Sequence, residues 1–431
     1  MADTIDLAYG RHGLALTLPD GVVPTIVQKR PLPVPSDAHA VIEAALAAPL
    51  ASPTIDEAAR SARSTCIVIC DITRPVPNHL FLRPMIERIC AAGVPLEGIT
   101  VLIATGLHRP NLGDELAELI GDPWVLQHVR VANHDARDEA SHRMLGVTPT
   151  RGTPVGIDRR FVDADLKIVT GLVEPHFMAG YSGGRKVIAP GIAHESTIRT
   201  FHSARFMEHA SATSCVLDNN PLHEEQLAVV AMLDAPIFAL NTVIDEERRL
   251  VYASYGDVLV SHMDAVAYMR EAAEVHLPRR FRTVVTTSAG HPLDKTYYQT
   301  VKGMVTPLDI LEPGGTLIIA SHCAEGIGSP EFRASQARLL ASTPEAFLES
   351  LLAKDQADID EWQSEMQLKS QRVGDVALYS EGLSDDDHAL TGVRRVTNLG
   401  ASVAESVHRQ GDVDVAVVPE GPYVVPFYSP A

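Results

Sequence analysis

Leu166-Lys-Ile-Val-Thr-Gly-Leu-Val173, followed at once by Glu174-Pro-His-Phe-Met-Ala-Gly-Tyr-Ser-Gly-Gly-Arg-Lys186, carries both the fold and the chemistry of this chain. The first eight residues form a nearly unbroken apolar run, the pattern of a strand buried on both faces. Comparable runs stand at 65–71, 98–106, 129–133 and 237–243, with helical patterns at 81–92 and 113–120 between them and a long amphipathic one at 257–276. Strand alternating with helix implies a mostly parallel sheet with helices on both faces. After Pro278-Arg-Arg-Phe-Arg282, the best linker, a second series begins, with strands at 283–287, 316–321, 376–380 and 413–419. The expected fold is therefore α/β, built as two α/β domains with mostly parallel sheets. The division falls at 1–277 and 283–411. The segment before residue 60 is proline-rich and gives little signal.

At 431 residues the chain is too long for one ordinary core, and 45% hydrophobic with 21% charged residues describes a globular protein. A net charge of −19 works against a nucleic-acid surface and against an anionic membrane. The five cysteines form no C-x-x-C pair and read as free thiols of a reducing cytosol. No signal peptide is evident at the N-terminus and no apolar run reaches membrane-spanning length, so the expected location is cytoplasmic.

Residues just past the carboxyl ends of parallel strands line the crevice of open α/β sheets. Three such ends carry chemistry: Asp71-Ile-Thr-Arg74-Pro75, Gly106-Leu-His108-Arg109 and Glu174-Pro-His176. Arg74 has the forked geometry for a carboxylate, and two histidines suit proton transfer near neutral pH. Gly183-Gly-Arg-Lys186 also suits a solvated turn, but the apolar Val187-Ile-Ala-Pro-Gly191 after it and the strand before it favour a buried site. Lys186 stands beside Arg185, and two adjacent cations make a lysine easier to deprotonate. His202 follows on a helix that the sequence starts near Glu195, and imidazole is a common ligand of transition metals. In the second series Tyr298, Gln299 and Lys302 share a helical face, and Trp362 reads as core. Neither a G-x-G-x-x-G nor a G-x-x-x-x-G-K-[ST] stretch is present, which disfavours conventional nicotinamide and P-loop sites.

Taken together and in this order, Asp71-x-Thr-Arg-Pro, Gly106-x-His-Arg, Pro175-His…Ser-Gly-Gly-Arg-Lys…His202 and Gln299-x-x-Lys-Gly resemble the nickel-dependent lactate racemase family, over roughly residues 65 to 365. The resemblance implies an isomerase, a racemase or epimerase that inverts C2 of a small 2-hydroxy carboxylic acid, lactate first. In that family a pyridinium-3,5-bisthiocarboxylic acid mononucleotide, the nickel-pincer nucleotide, is joined to the lysine matching Lys186, and His202 matches its nickel ligand. The reaction is a reversible hydride transfer to that nucleotide through a 2-keto acid. His108 and His176 match the alternating proton acceptors and donors. Ser182, Gly183, Gly184, Arg185 and Asp71 are expected around the cofactor, and Arg74, Tyr298, Gln299, Lys302 and Trp362 around the substrate, in a cleft between the domains. The family's layout leaves residues 412–431 free to return to the first domain. Implied partners are the substrate and the enzymes that make the cofactor, with no nucleic acid and no membrane.

Three alternatives stand beside this reading. The same chemistry could act on malate, an aryl-lactate or a sugar acid. A non-catalytic cofactor- or metal-binding protein would need Lys186 and His202 but neither His108 nor His176. A zinc hydrolase would want three protein ligands on one metal, and the sequence offers one.

Overall fold

A computed structural model describes residues 4–430. They form two compact units, one of residues 31–201 and 216–271, the other of residues up to 30, 202–215 and from 272 on. Each is built on a six-stranded sheet, and among the described residues no helix is long and apolar enough to cross a membrane.

In the first of these units the strands lie in the order Leu250–Asp257, Ile237–Ile244, Leu166–Leu172, Thr65–Cys70, Ile99–Ala104 and Arg130–Asn133. All pair in parallel except Leu250–Asp257, which returns antiparallel on Ile237–Ile244. Every residue of Leu166–Leu172 is buried, as its continuous apolar run requires. The Asn78–Ala91 helix covers one face with Phe81, Leu82, Met85, Ile86 and Ile89, all essentially inaccessible, against Ile67, Ile69 and Val101 of the sheet. The chain order reverses between Thr65–Cys70 and Leu166–Leu172. Asp71 and Glu174 follow these two strands at the switch point, where an open sheet leaves a crevice.

The other unit has the all-parallel order Arg394–Val396, Asp375–Tyr379, Leu311–Ala320, Phe281–Thr287, Asp414–Val418 and Val23–Ile26. This corrects the expected division in two places. Asp414–Val418 stays with the C-terminal sheet, paired on both sides, and Val425–Tyr428 pairs with Glu274–Leu277 of the same unit. The first 30 residues also belong here: Val23–Ile26 closes the sheet edge, and Leu7, Tyr9, Leu16 and Leu18 pack in its core with Val285, Ile318 and Val417. The expected helix at 257–276 is shorter, Val260–Ala273, because Leu250–Asp257 forms a strand before it and Glu274–Leu277 another after it.

Candidate active site

At the end of the Thr65–Cys70 strand Asp71 turns inward, 4% exposed. One carboxylate oxygen accepts the Thr73 hydroxyl at 2.6 Å and the other lies 2.7 Å from His108 Nδ1. Burial alone would raise this carboxyl, but the His108 ring, the Thr73 hydroxyl and the Arg74 charge outweigh it and hold it below the usual carboxylate range. An ionised carboxylate can only accept, so His108 donates from Nδ1 and its Nε2 is the basic nitrogen. The His108 side chain is 62% exposed. Asp71 thus orients the imidazole, in the manner of the carboxylate of a catalytic triad.

Arg74, three residues on, forms an ion pair with Glu174 at the end of the next strand, and both are partly exposed. Glu174 is bound to the following turn, its N–H donating to Ser182 Oγ at 3.0 Å and its carbonyl accepting Ser182 N–H at 3.0 Å. Two residues further His176 is buried in a tight hairpin, Pro175–His176 against Gly180–Tyr181. Its Nδ1 accepts the backbone N–H groups of Met178 at 3.3 Å and Ala179 at 3.2 Å.

The Gly183-Gly184 pair bends the chain with φ +79° and +48°. A Cβ on Gly183 would meet Val173 at 2.7 Å and one on Gly184 would meet the His262 ring at 2.7 Å, so packing within the protein already requires both glycines. Gly184 N–H donates to Asn241 Oδ1 at 3.0 Å. The turn leads into the short Arg185–Ile188 helix, which holds Lys186 half-buried.

Arg185, expected around a cofactor, turns its side chain into the protein. Its side chain is fully buried and spent on the protein: Nη1 reaches Tyr181 O at 3.0 Å, Nη2 reaches Ala179 O at 2.9 Å, and Nε reaches His223 Nδ1 at 2.9 Å. Nη1 also lies 2.9 Å from His262 Nε2. Burial pushes the guanidinium down to about 9, which leaves it charged at neutral pH. Burial and the Arg185 charge push His223 down to about 4 and His262 well down, so both rings are neutral beside it. Arg185 is a structural clamp on the hairpin that bears His176.

His202 lies one residue beyond the Glu195–Phe201 helix, not on it, and belongs to the unit built on the C-terminal sheet. Its ring packs on Trp362 with centroids 4.5 Å apart. Trp362 is 7% exposed and donates from Nε1 to the Tyr298 hydroxyl at 3.1 Å, while Gln363 Nε2 holds Tyr298 O at 2.7 Å. Burial and nearby Asp360 push the Tyr298 phenol far up, so it is no base. Tyr298, Gln299 and Lys302 do share the Tyr297–Val305 helix, capped by Thr296. Gln299 Oε1 is buried with no hydrogen-bond partner among the described residues. Sequence reasoning missed Glu174 as the partner of Arg74, and Asn220, whose Nδ2 holds Met178 O at 2.9 Å in the His176 hairpin. The signal at Asn220 was its place before Pro221, which marks a helix start but not that contact.

The lactate racemase N-terminal domain family matches residues 9–214 and the lactate racemase C-terminal domain family matches residues 279–425. A lactate racemase of Thermoanaerobacterium thermosaccharolyticum is 32% identical over 330 residues, 76% of each chain. A lactate racemase of Lactiplantibacillus plantarum is 28% identical over 383 residues, 88% of this chain and 89% of that one. The lactate racemase apoprotein structure from the Thermoanaerobacterium species superposes with a TM-score of 0.91 at 27% identity, over 98% of this chain and all of that one. A Thermotoga maritima protein shares the fold at a TM-score of 0.65, 19% identity and 88% coverage of this chain. With both halves of one family matched in order, and the relative at 32% identity covering three quarters of each chain, this chain belongs to the lactate racemase family and is an isomerase.

Proposed function

We propose that the chain racemises a small 2-hydroxy acid, lactate in the first place, and that it works in the cytoplasm with a nickel-pincer nucleotide attached to Lys186. The observation that carries this reading is the 2.7 Å contact between Asp71 and His108 Nδ1, which leaves a basic Nε2 on an exposed ring. A protein that only bound cofactor would have no use for an oriented base. The C2 hydrogen of a 2-hydroxy acid is a poor acid, so inversion is easier if it leaves as hydride while a base takes the hydroxyl proton. The product is a planar 2-keto acid that can be reduced again from either face.

The residues present fit such a cofactor. Among the described residues no three His, Cys, Asp or Glu side chains cluster to hold a metal. A single imidazole, His202, suits a metal that arrives with its other ligands on an organic group, and a half-buried Lys186 behind a rigid glycine turn suits a covalent anchor. When bound, the nucleotide and its nickel supply the hydride-accepting chemistry. The protein's share is orientation and proton handling. His108 and His176 exchange the hydroxyl proton on the two faces, Arg74 and Lys302 hold the carboxylate, and the orphan Gln299 Oε1 offers an acceptor to a substrate hydroxyl.

The test is intact mass and metal content after production beside the cofactor-synthesis enzymes. Wild type should gain the mass of the nucleotide and bind nickel. Lys186→Arg keeps the charge but cannot form the amide-type link, and should gain neither mass nor activity. His202→Ala should keep the mass and lose nickel faster. A Lys186→Arg protein with the mass increment and full turnover would end the tether.

A further inference from the structure

We infer that the two imidazoles rest in opposite tautomers, His108 with its proton on Nδ1 and His176 with its proton on Nε2, and that Asn220 sets the second by fixing the peptide between Met178 and Ala179. For His108 the partner decides: Asp71 accepts, so Nδ1 donates. For His176 the partners are two backbone N–H groups, and an N–H can only donate. His176 Nδ1 must therefore offer its lone pair, and the proton of the neutral ring sits on Nε2. A proton on Nδ1 would point at two N–H donors.

The hairpin holds those amides in place. In a trans peptide the carbonyl and the N–H point in opposite directions. Met178 O is gripped by Asn220 Nδ2 at 2.9 Å, which turns the Ala179 N–H of the same peptide towards the ring. Asn220 is fully buried and its amide cannot be reversed. Its Oδ1 accepts Leu222 N–H at 3.0 Å and His223 N–H at 3.3 Å, while Nδ2 donates to Met178 O and to Val216 O, each at 2.9 Å. Arg185 fixes the next carbonyl, Ala179 O. Gly180, at φ +77°, lets the chain turn where a Cβ would lie 2.4 Å from Val216 O.

The consequence for catalysis rests on the racemase reading above. In the resting state His108 Nε2 is bare and His176 Nε2 is protonated, so the enzyme is primed for the enantiomer whose hydroxyl faces His108. That proton passes to His108 Nε2. After the C2 hydrogen returns to the other face, the new alkoxide takes the proton of His176 Nε2, which leaves an imidazolate whose Nδ1 still accepts both amide N–H groups. His108 then releases its proton to solvent and His176 regains one, so protons balance over the cycle. The opposite enantiomer needs that relocation to happen first. Because two enantiomers equilibrate at unity, kcat/KM is the same in both directions, and the asymmetry falls on kcat and KM separately.

The test uses the full chain labelled with 15N-histidine, free of cofactor, at neutral pH. Nitrogen resonances, assigned with His108→Gln and His176→Gln, should show a protonated Nδ1 for His108 and a protonated Nε2 for His176. Both rings in one tautomer, or His176 protonated on Nδ1, would overturn the inference. Asn220→Ser keeps the helix cap and removes the grip on Met178 O, and should move His176 towards a mixture of tautomers; an unchanged His176 spectrum would remove Asn220 from the account. In the loaded enzyme kcat for the two enantiomers should differ by at least about threefold at equal kcat/KM. Equal kcat values would overturn the primed cycle. A chain that shows both tautomers but racemises no 2-hydroxy acid sinks the proposed function and leaves the tautomers standing.

Discussion

Asp71 keeps its charge against its own burial because His108, Thr73 and Arg74 all stabilise the ionised form. Its folded value lies below its unfolded one, so its contribution to stability is in full force above about pH 4 and disappears as pH falls through the lowered value. Asp71→Asn should preserve the fold but no longer hold the Nδ1–H tautomer, and kcat should fall by about 10²–10⁴-fold with little change in KM. Steady-state kinetics on the loaded enzyme checks this; an unchanged kcat would mean His108 needs no orientation. Arg74→Ala should instead raise KM, by about 2–5 kcal/mol of lost carboxylate contact. Measuring KM and kcat separately distinguishes the two residues. The positions of Asp71, Arg74, His108 and His176 past the strand ends were legible because each lies within four residues of an apolar run that reads as a buried strand. Arg185 was expected around a cofactor, and nothing local in the sequence reveals the cage of carbonyls and imidazoles that its side chain fills.

At the scale of the element, the Glu361–Val373 helix is the least expected part of the structure. It reads polar, yet Glu361 to Leu368 are all buried. Along one stripe Trp362 touches His202, Lys369 donates to Met207 O, and Arg372 pairs with Glu208 at 2.7 Å, so the segment after the proposed nickel ligand is held along its length. Trp362→Phe should cost about 1 kcal/mol for the lost hydrogen bond to Tyr298, and Trp362→Ala about 3–5 kcal/mol for the cavity, as read by denaturant unfolding. Equal costs would mean the indole packs loosely. Burial, and then Glu208, raise the Glu365 carboxyl well above its usual range. The folded state then holds a proton that the unfolded chain releases above about pH 4.5, so stability falls as pH rises beyond that point. Glu365→Gln, neutral at every pH, should flatten that decline, and a stability curve parallel to wild type would show that the group is ionised. Of this only the burial of Trp362 was legible in the sequence, since a run such as Glu-Trp-Gln-Ser-Glu is otherwise the pattern of a surface helix and only the surrounding unit buries it.

For the whole molecule, the two mostly parallel sheets were legible in their central strands, where burial on both faces leaves continuous apolar runs. Their edges were not. Val23–Ile26 is half exposed and contains a proline, and Leu250–Asp257 mixes tyrosine, serine and glycine into its run. As a result the first 30 residues were assigned to the wrong unit. Removing them should destabilise the unit that carries Gln299, Lys302 and Trp362, because Leu7, Tyr9, Leu16 and Leu18 leave its core. Hydrogen exchange should then quicken in Phe281–Thr287 and Asp414–Val418 while Thr65–Cys70 stays protected; uniform exchange in both units would contradict that assignment.

The central claim is that this chain inverts a 2-hydroxy acid, and following a single enantiomer of lactate by chiral chromatography tests it most directly. The chain should first be made beside the cofactor-synthesis enzymes and shown by mass to carry the nucleotide on Lys186. Starting from either enantiomer, the mixture should converge on equal amounts of both, and His108→Gln should stop the conversion. A fully loaded wild-type chain that leaves both enantiomers of lactate untouched would contradict the account.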